Sequence, residues 1–489
     1  MKRLSDATLS ELPKDVARPR YDRSRVATGI VHLGIGAFQR AHQAMYTESA
    51  LNAGDLRWGI VGASLRSASV RDALMLQDGL YTLAVRGAEG ETLHVIGAIK
   101  DVLVGPEAPE ALLLALGDPA VKIVTLTVTE KGYCYDPATA ALDEAHPDIV
   151  HDLGHPQSPR TAPGFLVEAL RRRKAAHMQP FTVLCCDNLP HNGRTVAAIV
   201  ARFAALRDPQ FGHFIANEVT FPSTMVDRIT PATTDEDRAA ISARLGVEDA
   251  APVITEPFSQ WVIEDRFPGG RPDWALAGAE FVTDVAPYEN MKLRLLNGSH
   301  STLAYLGYLA GYETVSDTMT DPNYRRLAEG VMDDAATTLK MPPGADVAAY
   351  KRALMERYAN PALRHRTWQI CMDGSQKLPQ RLLGTIRDRL SVGAPIERLV
   401  MGVAGWMRYV TGIDEAGKPI DVRDPLSAQL RSIADQAGPV AERLAPALLD
   451  VREIFGADLA ADPRFRDAVT ATLRRIIARG ARTAVAELA

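Results

Sequence analysis

The chain has 489 residues, 46% hydrophobic and 24% charged, an ordinary globular composition and too long a chain for a single core. Its net charge of −5 and the lack of a basic tract argue against nucleic acid or an anionic membrane as a partner. It has no run of ~18 apolar residues, no signal-peptide core and no metal-ligand spacing among its four cysteines. We therefore expect a cytoplasmic protein with two or three domains, no membrane span and no structural zinc.

The first predicted elements are a strand, a glycine turn, a helix and a second strand. GIVHLGIG predicts a strand over 29–36, and AFQRAHQAMYTESALNAG predicts a helix that ends at Gly54. WGIVGAS predicts the next strand over 58–64. Dinucleotide-binding folds begin with this unit.

The glycine pattern of the turn is incomplete. Gly34 and Gly36 supply the tight turn and the close backbone approach that a pyrophosphate needs, but Gln39 stands in place of the third glycine. The second strand ends in Ser64, Leu65 and Arg66, without the acid that usually binds the ribose 2′-hydroxyl of NAD. Arg66 suits a 2′-phosphate, so these residues leave a plain turn, an NAD site and an NADP site open.

Further apolar runs predict a largely parallel sheet. Strands are predicted over 80–85, 93–99, 121–129 and 181–186. Helical patterns such as APEALLLALG and GFLVEALRRR lie between several of them. This alternation is typical of a sheet with helices on both faces.

Two loops with polar residues follow predicted strands, TVTEKGYCYDP (127–137) and CDNLPHNG (186–193). Ligand sites in α/β folds lie at the carboxyl ends of strands. Asn188, His191 and Asn192 are therefore candidate site residues, although turn chemistry explains the same residue types equally well.

An acid and a base, Asp227 and Arg228, stand together in the apolar segment TFPSTMVDRITP. Their adjacency favours an ion pair over a functional site.

The segment PYENMKLRLLNGSHSTLAYLGYLAG predicts one long helix from Pro287 to about Gly311. At about 100° per residue, Lys292, Asn297 and His300 fall on one broad side of it. A base, an amide and an imidazole there suit a carbonyl/alcohol site without a metal, while a surface lysine and structural polar residues are the ordinary alternative.

Strand patterns fade after about residue 285, where helical periodicity takes over. We predict an α/β Rossmann-type cofactor domain over residues 1–285 and an all-α substrate and catalytic domain over residues 286–489.

Taken together, these segments resemble one family over nearly the whole chain. HLGIGAFQRAHQA, TLTVTEKGYC, CDN, FPSTMVDRITP, EPFSQWVIEDRF and the spacing Lys292-x4-Asn297-x2-His300 resemble the polyol-specific long-chain dehydrogenases/reductases, the mannitol dehydrogenase family. QWVIEDRFPGGRPDW and HRTWQICMDGSQKLPQRLL are similar to its fructuronate reductase (D-mannonate oxidoreductase) branch.

The resemblance implies a Rossmann-type domain, a helical domain, and catalysis between them without a metal. It implies that Lys292 is the general acid/base, which needs a lowered pKa to act near neutral pH. Roles for other residues follow from the same likeness: Asn188 and Asn297 as hydrogen-bond donors to the substrate oxygen, His300 in orienting the substrate, Asp227 in positioning substrate or cofactor, and Glu289 in a proton route.

The same resemblance extends to the cofactor and the substrate. It favours NAD, without excluding NADP, held by Gly34, Gly36, Ala37, Phe38, Arg66 and Asp227. Mannitol dehydrogenases carry an arginine where this chain has Gln369, whereas Lys377 keeps the later basic residue of the family. Arg366 and Arg381 lie nearby and could pair a sugar-acid carboxylate, or could be plain surface charges.

These observations predict a monomer or weak homo-oligomer that interconverts a hexuronate ketone and a hexonate, D-fructuronate and D-mannonate, with NAD(H). The alternative is a mannitol or D-arabinitol 2-dehydrogenase. A catalytically silent sensor is disfavoured because a sensor has no need of a proton-transfer lysine.

Overall fold

The computed structural model describes residues 1–136 and 141–488, apart from the side chain of Glu130. The chain divides into two compact units, Met1–Val285 and Ala286–Ala489. Pro137, at the end of the predicted loop 127–137, lies outside the described residues. Over the described residues, every helix is too short or too polar to cross a bilayer.

The first unit contains every strand of the described chain. They are β1 Thr28–Leu33, β2 Gly59–Ser64, β3 Tyr81–Gly87, β4 Gly90–Ile96, β5 Ile99–Val104, β6 Ile123–Leu126, β7 Tyr135–Asp136, β8 Ala141–Leu142, β9 Thr182–Cys185, β10 Thr224–Asp227, β11 Val253–Thr255, β12 Gln260–Glu264 and β13 Glu280–Val282. Five of them form the central sheet in the order β5-β2-β1-β6-β9. All neighbours in it are parallel, which confirms the predicted Rossmann-type sheet.

Two apolar runs that were predicted for this sheet lie partly elsewhere. β3 and β4 form an antiparallel hairpin in which Gly87 pairs with Gly90, and β11 joins β3 in a second sheet. A connection of two residues permits only antiparallel pairing. The run over 93–99 breaks at Gly97, where a side chain would collide with Pro19 and Arg23. Its last residue begins β5, which does belong to the central sheet.

The helices of the first unit cover the central sheet. They are α1 Ala37–Ala41, α2 Gln43–Asn52, α3 Ser69–Met75, α4 Pro109–Gly117, α5 Pro147–Gly154, α6 Ala162–Ala175, α7 Asn192–Arg207, α8 Pro209–Glu218 and α9 Asp235–Leu245. The single helix predicted after β1 is broken at His42, with φ −119° and ψ −89°. The break lets the imidazole stack on Phe38 and meet the edge of Trp261, with ring centroids 5.1 and 5.4 Å away.

The second unit is helical throughout its described part, as predicted. Its α-helices are α10 Ala286–Met291, α11 Gly298–Leu309, α12 Val315–Thr318, α13 Pro322–Ala336, α14 Val347–Ala359, α15 Thr367–Cys371, α16 Gly374–Leu378, α17 Gly384–Ser391, α18 Glu397–Tyr409, α19 Ser427–Ala437, α20 Ala441–Leu449, α21 Arg452–Ala461, α22 Pro463–Arg479 and α23 Ala481–Leu488. Two π-helical segments interrupt the α geometry, the first at Lys292–Asn297 and the second at Pro379–Leu383. The buried helix α11 packs against α13, α15 and α18.

Candidate active site

The turn after β1 requires glycine at its first position. Gly34 has φ +96°, and a Cβ there would lie 2.3 Å from the carbonyl oxygen of Thr127. Its N–H donates to the carbonyl of Ala63 over 2.8 Å. Any side chain would therefore push the turn away from the loop that follows β6.

Gly36 differs from Gly34, because its missing side chain leaves open space. A Cβ at Gly36 would meet only the carbonyl oxygen of Gly34, at 3.7 Å. Gly36 directly precedes Ala37 and Phe38, the first residues of α1. Exposed backbone N–H groups with room in front of them fit the pyrophosphate of a dinucleotide.

A cavity of about 900 Å³ lies beside this turn, at the carboxyl ends of β1, β2, β5 and β6. Its volume is in the range of small-molecule sites. Arg66 lines it, and the preceding turn is held by Ser64, whose Oγ accepts from the N–H of Ser67 over 3.2 Å. Among the other lining residues are Gly34, Ile35, Leu65, Gly105, Thr127 and Lys131. Of the predicted cofactor residues, Gly34 and Arg66 thus border a cavity of suitable size, whereas Gly36, Ala37 and Phe38 are not among its lining residues.

Asp187 fixes the loop that closes one side of this cavity. Its carboxylate accepts from the N–H groups of Val128 and Thr129 over 3.0 and 3.1 Å, and from the hydroxyl of Tyr133 over 2.7 Å. Thr129 has φ +64°, a backbone conformation that costs energy for a β-branched residue. The hydrogen bonds to the Asp187 carboxylate therefore stabilise the loop in this unfavourable backbone conformation.

Of the polar residues that follow Asp187, one is exposed to solvent and another is buried in the core. Asn188 is exposed. Asn192 is buried, where its amide donates to the carbonyl of Thr224 over 2.9 Å and accepts from the N–H of Thr224 over 2.9 Å. His191 has φ +45° at the start of α7. The structure thus supports a turn role for His191 and a packing role for Asn192.

Asp227 and Arg228 end β10 and begin the following loop, and both are buried. The guanidinium of Arg228 donates to the backbone carbonyls of Ala41, over 2.5 Å, and Glu256, over 3.0 Å. The hydrogen bonds of Arg228 therefore run to the backbone, and the favoured ion pair with Asp227 stays a prediction. Burial lowers the pKa of Arg228 to about 10.

In the second unit, the predicted long helix is present but is not α-helical throughout. Lys292 and Asn297 bound the first π segment, and the N–H of Gly298 donates to the carbonyl of Leu293, five residues earlier. The assumed 100° per residue does not hold here, because the hydrogen bonds between residues five apart widen the turn of a π segment. Lys292 and Asn297 have that spacing and are both half-buried. Glu289 lies one turn earlier, in α10.

Tyr358 supports the π segment and the histidine that follows it. Its hydroxyl donates to the carbonyl of Leu296 over 2.9 Å, one of the carbonyls within the widened turn. Its ring stacks on the imidazole of His300, with centroids 5.4 Å apart and planes 6° from parallel. One buried side chain therefore orients both the backbone beside Asn297 and the ring of His300.

His300 is buried among basic groups. The ring of His365 lies 4.9 Å away between centroids. Burial, and then the charges of His365, Arg381, Arg357 and Lys377, hold the pKa of His300 well below its usual value. His300 is accordingly a neutral imidazole at neutral pH, able to donate one hydrogen bond and accept another.

The three predicted basic residues do not share one environment. Lys377 donates to the carbonyl of Met372 over 2.6 Å, and burial, with Arg381 next, lowers its pKa. Arg381 donates to Oγ of Ser301 over 3.0 Å. Arg366 has a side chain that is 61% exposed, and it lies 3.7 Å from a carboxylate oxygen of Glu313. The structure places Lys377 and Arg381 near His300 and Arg366 at the surface.

Two family models cover most of the chain. The mannitol dehydrogenase Rossmann domain matches residues 28–276, and the mannitol dehydrogenase C-terminal domain matches residues 284–477. The chain belongs to the mannitol dehydrogenase family. The predicted family is confirmed, and so is the predicted class, an oxidoreductase that acts on secondary alcohols.

Similar members of the family have different substrates in their names. D-mannonate oxidoreductase of Escherichia coli (strain K12) is 51% identical over 485 residues, which are 98% of this chain and 99% of that protein. The Pseudomonas fluorescens mannitol 2-dehydrogenase, solved as a ternary complex with NAD and D-mannitol, is 40% identical with a TM-score of 0.88, covering 99% of each chain. A substrate-free D-sorbitol dehydrogenase structure is 34% identical with a TM-score of 0.91, covering 99% of this chain and 100% of that one.

Sequence reasoning missed Asp187, Arg357, Tyr358 and His365 as neighbours of the family residues. Asp187 and His365 lie inside quoted family segments, CDN and HRTWQICMDGSQK, so their positions were a usable signal. Tyr358 and Arg357 belong to α14, which carries no family segment. Only the fold shows that they lie beside His300.

Proposed function

We propose that this chain reduces a hexuronate ketone to a hexonate, D-fructuronate to D-mannonate, with NADH, and catalyses the reverse oxidation with NAD. The observation that carries the proposal is the 51% identity with D-mannonate oxidoreductase over 98% of the chain. The basic surroundings of His300 support an acidic sugar over a neutral one.

The proposed chemistry assigns one task to each polar group of the candidate site. Bound NADH supplies the hydride. Lys292 donates the proton to the carbonyl oxygen as that oxygen gains negative charge, and takes it back during oxidation. Asn297 and Asn188 donate hydrogen bonds that stabilise the developing alkoxide. Neutral His300, held by Tyr358, orients a substrate hydroxyl. Glu289 passes the proton between Lys292 and solvent.

For the cofactor, we propose NAD held at the glycine turn. Gly34 permits the tight turn, and Gly36 leaves room for the pyrophosphate beside Ala37 and Phe38. Arg66 borders the same cavity and would contact the adenosine ribose, with Asp227 in a positioning role. NADP stays an alternative, since no acid follows β2 to repel a 2′-phosphate. A metal is not part of the proposal, and the described residues contain no cluster of three or more His, Cys, Asp or Glu side chains that could hold one.

A second candidate is a mannitol or D-arabinitol 2-dehydrogenase. It is favoured by the likeness to the Pseudomonas fluorescens structure, whose bound substrate is D-mannitol. Against it stands Gln369, where the mannitol dehydrogenases carry an arginine. The cytoplasmic location and the monomeric or weakly oligomeric state remain predictions.

Steady-state kinetics separate the two candidates. The purified enzyme is assayed with D-fructuronate and with D-fructose, each with NADH and with NADPH. We expect kcat/KM for D-fructuronate to exceed that for D-fructose by at least ~100-fold, the worth of about two charge-assisted hydrogen bonds, and NADH to be preferred. An equal or better rate with D-fructose would remove the uronate proposal and leave the polyol alternative.

A further inference from the structure

We propose that Arg381 binds the carboxylate of the substrate and determines the preference for an acidic sugar, an inference that rests on the proposed function. The guanidinium has five N–H donors in a planar fork. Within the described part of the chain, Arg381 makes one side-chain hydrogen bond, to Oγ of Ser301 over 3.0 Å, and no ion pair. Most of the fork is left for a ligand.

Other buried arginines of the chain show what a structural role looks like. Arg389 pairs with Asp334 over 3.0 Å and also donates to backbone carbonyls. Arg173 donates to four backbone carbonyls. Arg228 donates to two. A half-buried guanidinium without such partners is costly to maintain, which fits a group whose partner arrives with the substrate.

The charged groups around Arg381 are of both signs, since Asp373 acts on it and lies 4.0 Å from the Nζ of Lys377. Lys377 lies one turn earlier and shares its electrostatic environment. Arg357 and Lys377 both act on His300 and His365. A carboxylate entering here would meet the guanidinium of Arg381 with further basic groups nearby.

The second π segment and α11 fix where this guanidinium lies relative to the catalytic helix. A Cβ at Gly298 would lie 2.7 Å from the carbonyl oxygen of Arg381, so the two backbones are in direct contact. Gly298 follows Asn297, and Ser301, which holds the guanidinium, follows His300. Arg381 is therefore anchored to the residues that directly follow each member of the proposed substrate-binding pair, Asn297 and His300. A sugar acid held by Asn297 and His300 can extend its carboxylate to Arg381.

A guanidinium at this position should distinguish acidic from neutral sugars as well as increase the affinity for the acidic one. A bidentate arginine–carboxylate pair forms with the uronate. A neutral ketose leaves the same guanidinium unpaired, which a site built for a polar partner penalises. Arg381 should therefore affect acidic and neutral substrates unequally.

The test compares Arg381→Gln with Arg366→Gln, using D-fructuronate and D-fructose. Arg366 is the matched control, since it lies in the same stretch but pairs with Glu313 at the surface. We expect Arg381→Gln to raise KM for D-fructuronate by about 10- to 100-fold while KM for D-fructose changes by less than about 3-fold. Arg366→Gln should leave both values unchanged.

Ser301→Ala provides a second variant that keeps the charge and removes the hydrogen bond that orients the guanidinium. We expect it to raise KM for D-fructuronate by about 3- to 10-fold, with D-fructose unaffected. If the thermal unfolding of Arg381→Gln shows that this variant does not fold, Ser301→Ala tests the assignment of Arg381 in its place.

The two proposals fail in different ways. If the unmodified enzyme does not reduce D-fructuronate, the proposed function is wrong and this inference falls with it. If it reduces D-fructuronate, but Arg381→Gln or Ser301→Ala impairs both substrates equally or neither, only the assignment of Arg381 is overturned.

Discussion

At the scale of single residues, the structure shows where Lys292 and its neighbours lie on the helix that carries them. Lys292 and Asn297 are half-buried and stand at the two ends of a π segment, whose turns are wider than those of an α-helix. A proton donor and a hydrogen-bond donor can then address one substrate oxygen from the same helix. This arrangement supports the proposed proton transfer more directly than the predicted shared side of an α-helix.

The role of Lys292 is tested by Lys292→Ala. General acid–base catalysis contributes about 10²- to 10⁴-fold to the rate, so we expect kcat to fall by at least ~10²-fold. The affinity for NADH, measured by fluorescence titration, should stay within about 2-fold of that of the unmodified enzyme. The exposed Lys340 gives a control variant, Lys340→Ala, that should change neither quantity. Lost NADH affinity together with surviving turnover would contradict the assignment.

Residue types were predictable from the sequence, but their partners were not. Arg366 and Arg381 were equivalent candidates, because nothing local distinguishes an arginine that meets Glu313 from one that meets Ser301. The hydrogen bonds of Arg228 were unpredictable for the same reason, since they cross to the backbone of Ala41 and Glu256. Adjacency in sequence says little about contacts that the fold creates.

At the scale of elements, the first π segment depends on a neighbouring helix. Widening a helical turn frees carbonyls from their usual partners. The hydroxyl of Tyr358 donates a hydrogen bond to one of these carbonyls, that of Leu296, over 2.9 Å. Its ring also stacks on the imidazole of His300. Helix α14 therefore contributes to the site without supplying a reacting group.

Tyr358→Phe tests this support. The hydroxyl also lies 2.8 Å from Oγ of Ser299, so the variant loses up to two buried hydrogen bonds, each worth about 0.5–1.5 kcal/mol. Because the bond to Leu296 shapes the π turn beside Asn297, we expect kcat to fall by about 3- to 10-fold.

Tyr324→Phe is the control, because Tyr324 is equally buried and donates over 3.0 Å to Leu306, in the regular part of α11. It should lower the thermal unfolding midpoint by a similar amount and leave kcat unchanged. Equal kcat losses in both variants would show that Tyr358 acts on stability alone.

The elements themselves were largely predictable, and the failures have physical causes. Apolar runs located β1, β2, β6 and β9, because buried parallel strands are continuously apolar. The same runs could not show that β3 pairs with β4, since composition does not reveal a partner. The break at His42 and the π turn at Lys292 also left no trace in residue periodicity, because contacts outside each helix decide them.

At the scale of the whole molecule, the family follows from both units, but the substrate does not. The matched models span residues 28–276 and 284–477, and similar members are named for D-mannonate and for mannitol. One fold thus serves relatives named for both kinds of sugar. We propose that the groups around His300, Arg381 among them, decide the substrate.

The most direct measurement is isotope transfer to the proposed substrate. The enzyme is incubated with D-fructuronate and NADH that carries deuterium at its transferable position, and the product is identified by NMR and mass spectrometry. The account predicts D-mannonate with one deuterium on the former ketone carbon. A different product, an unlabelled one, or label transfer to D-fructose but not to D-fructuronate would contradict it.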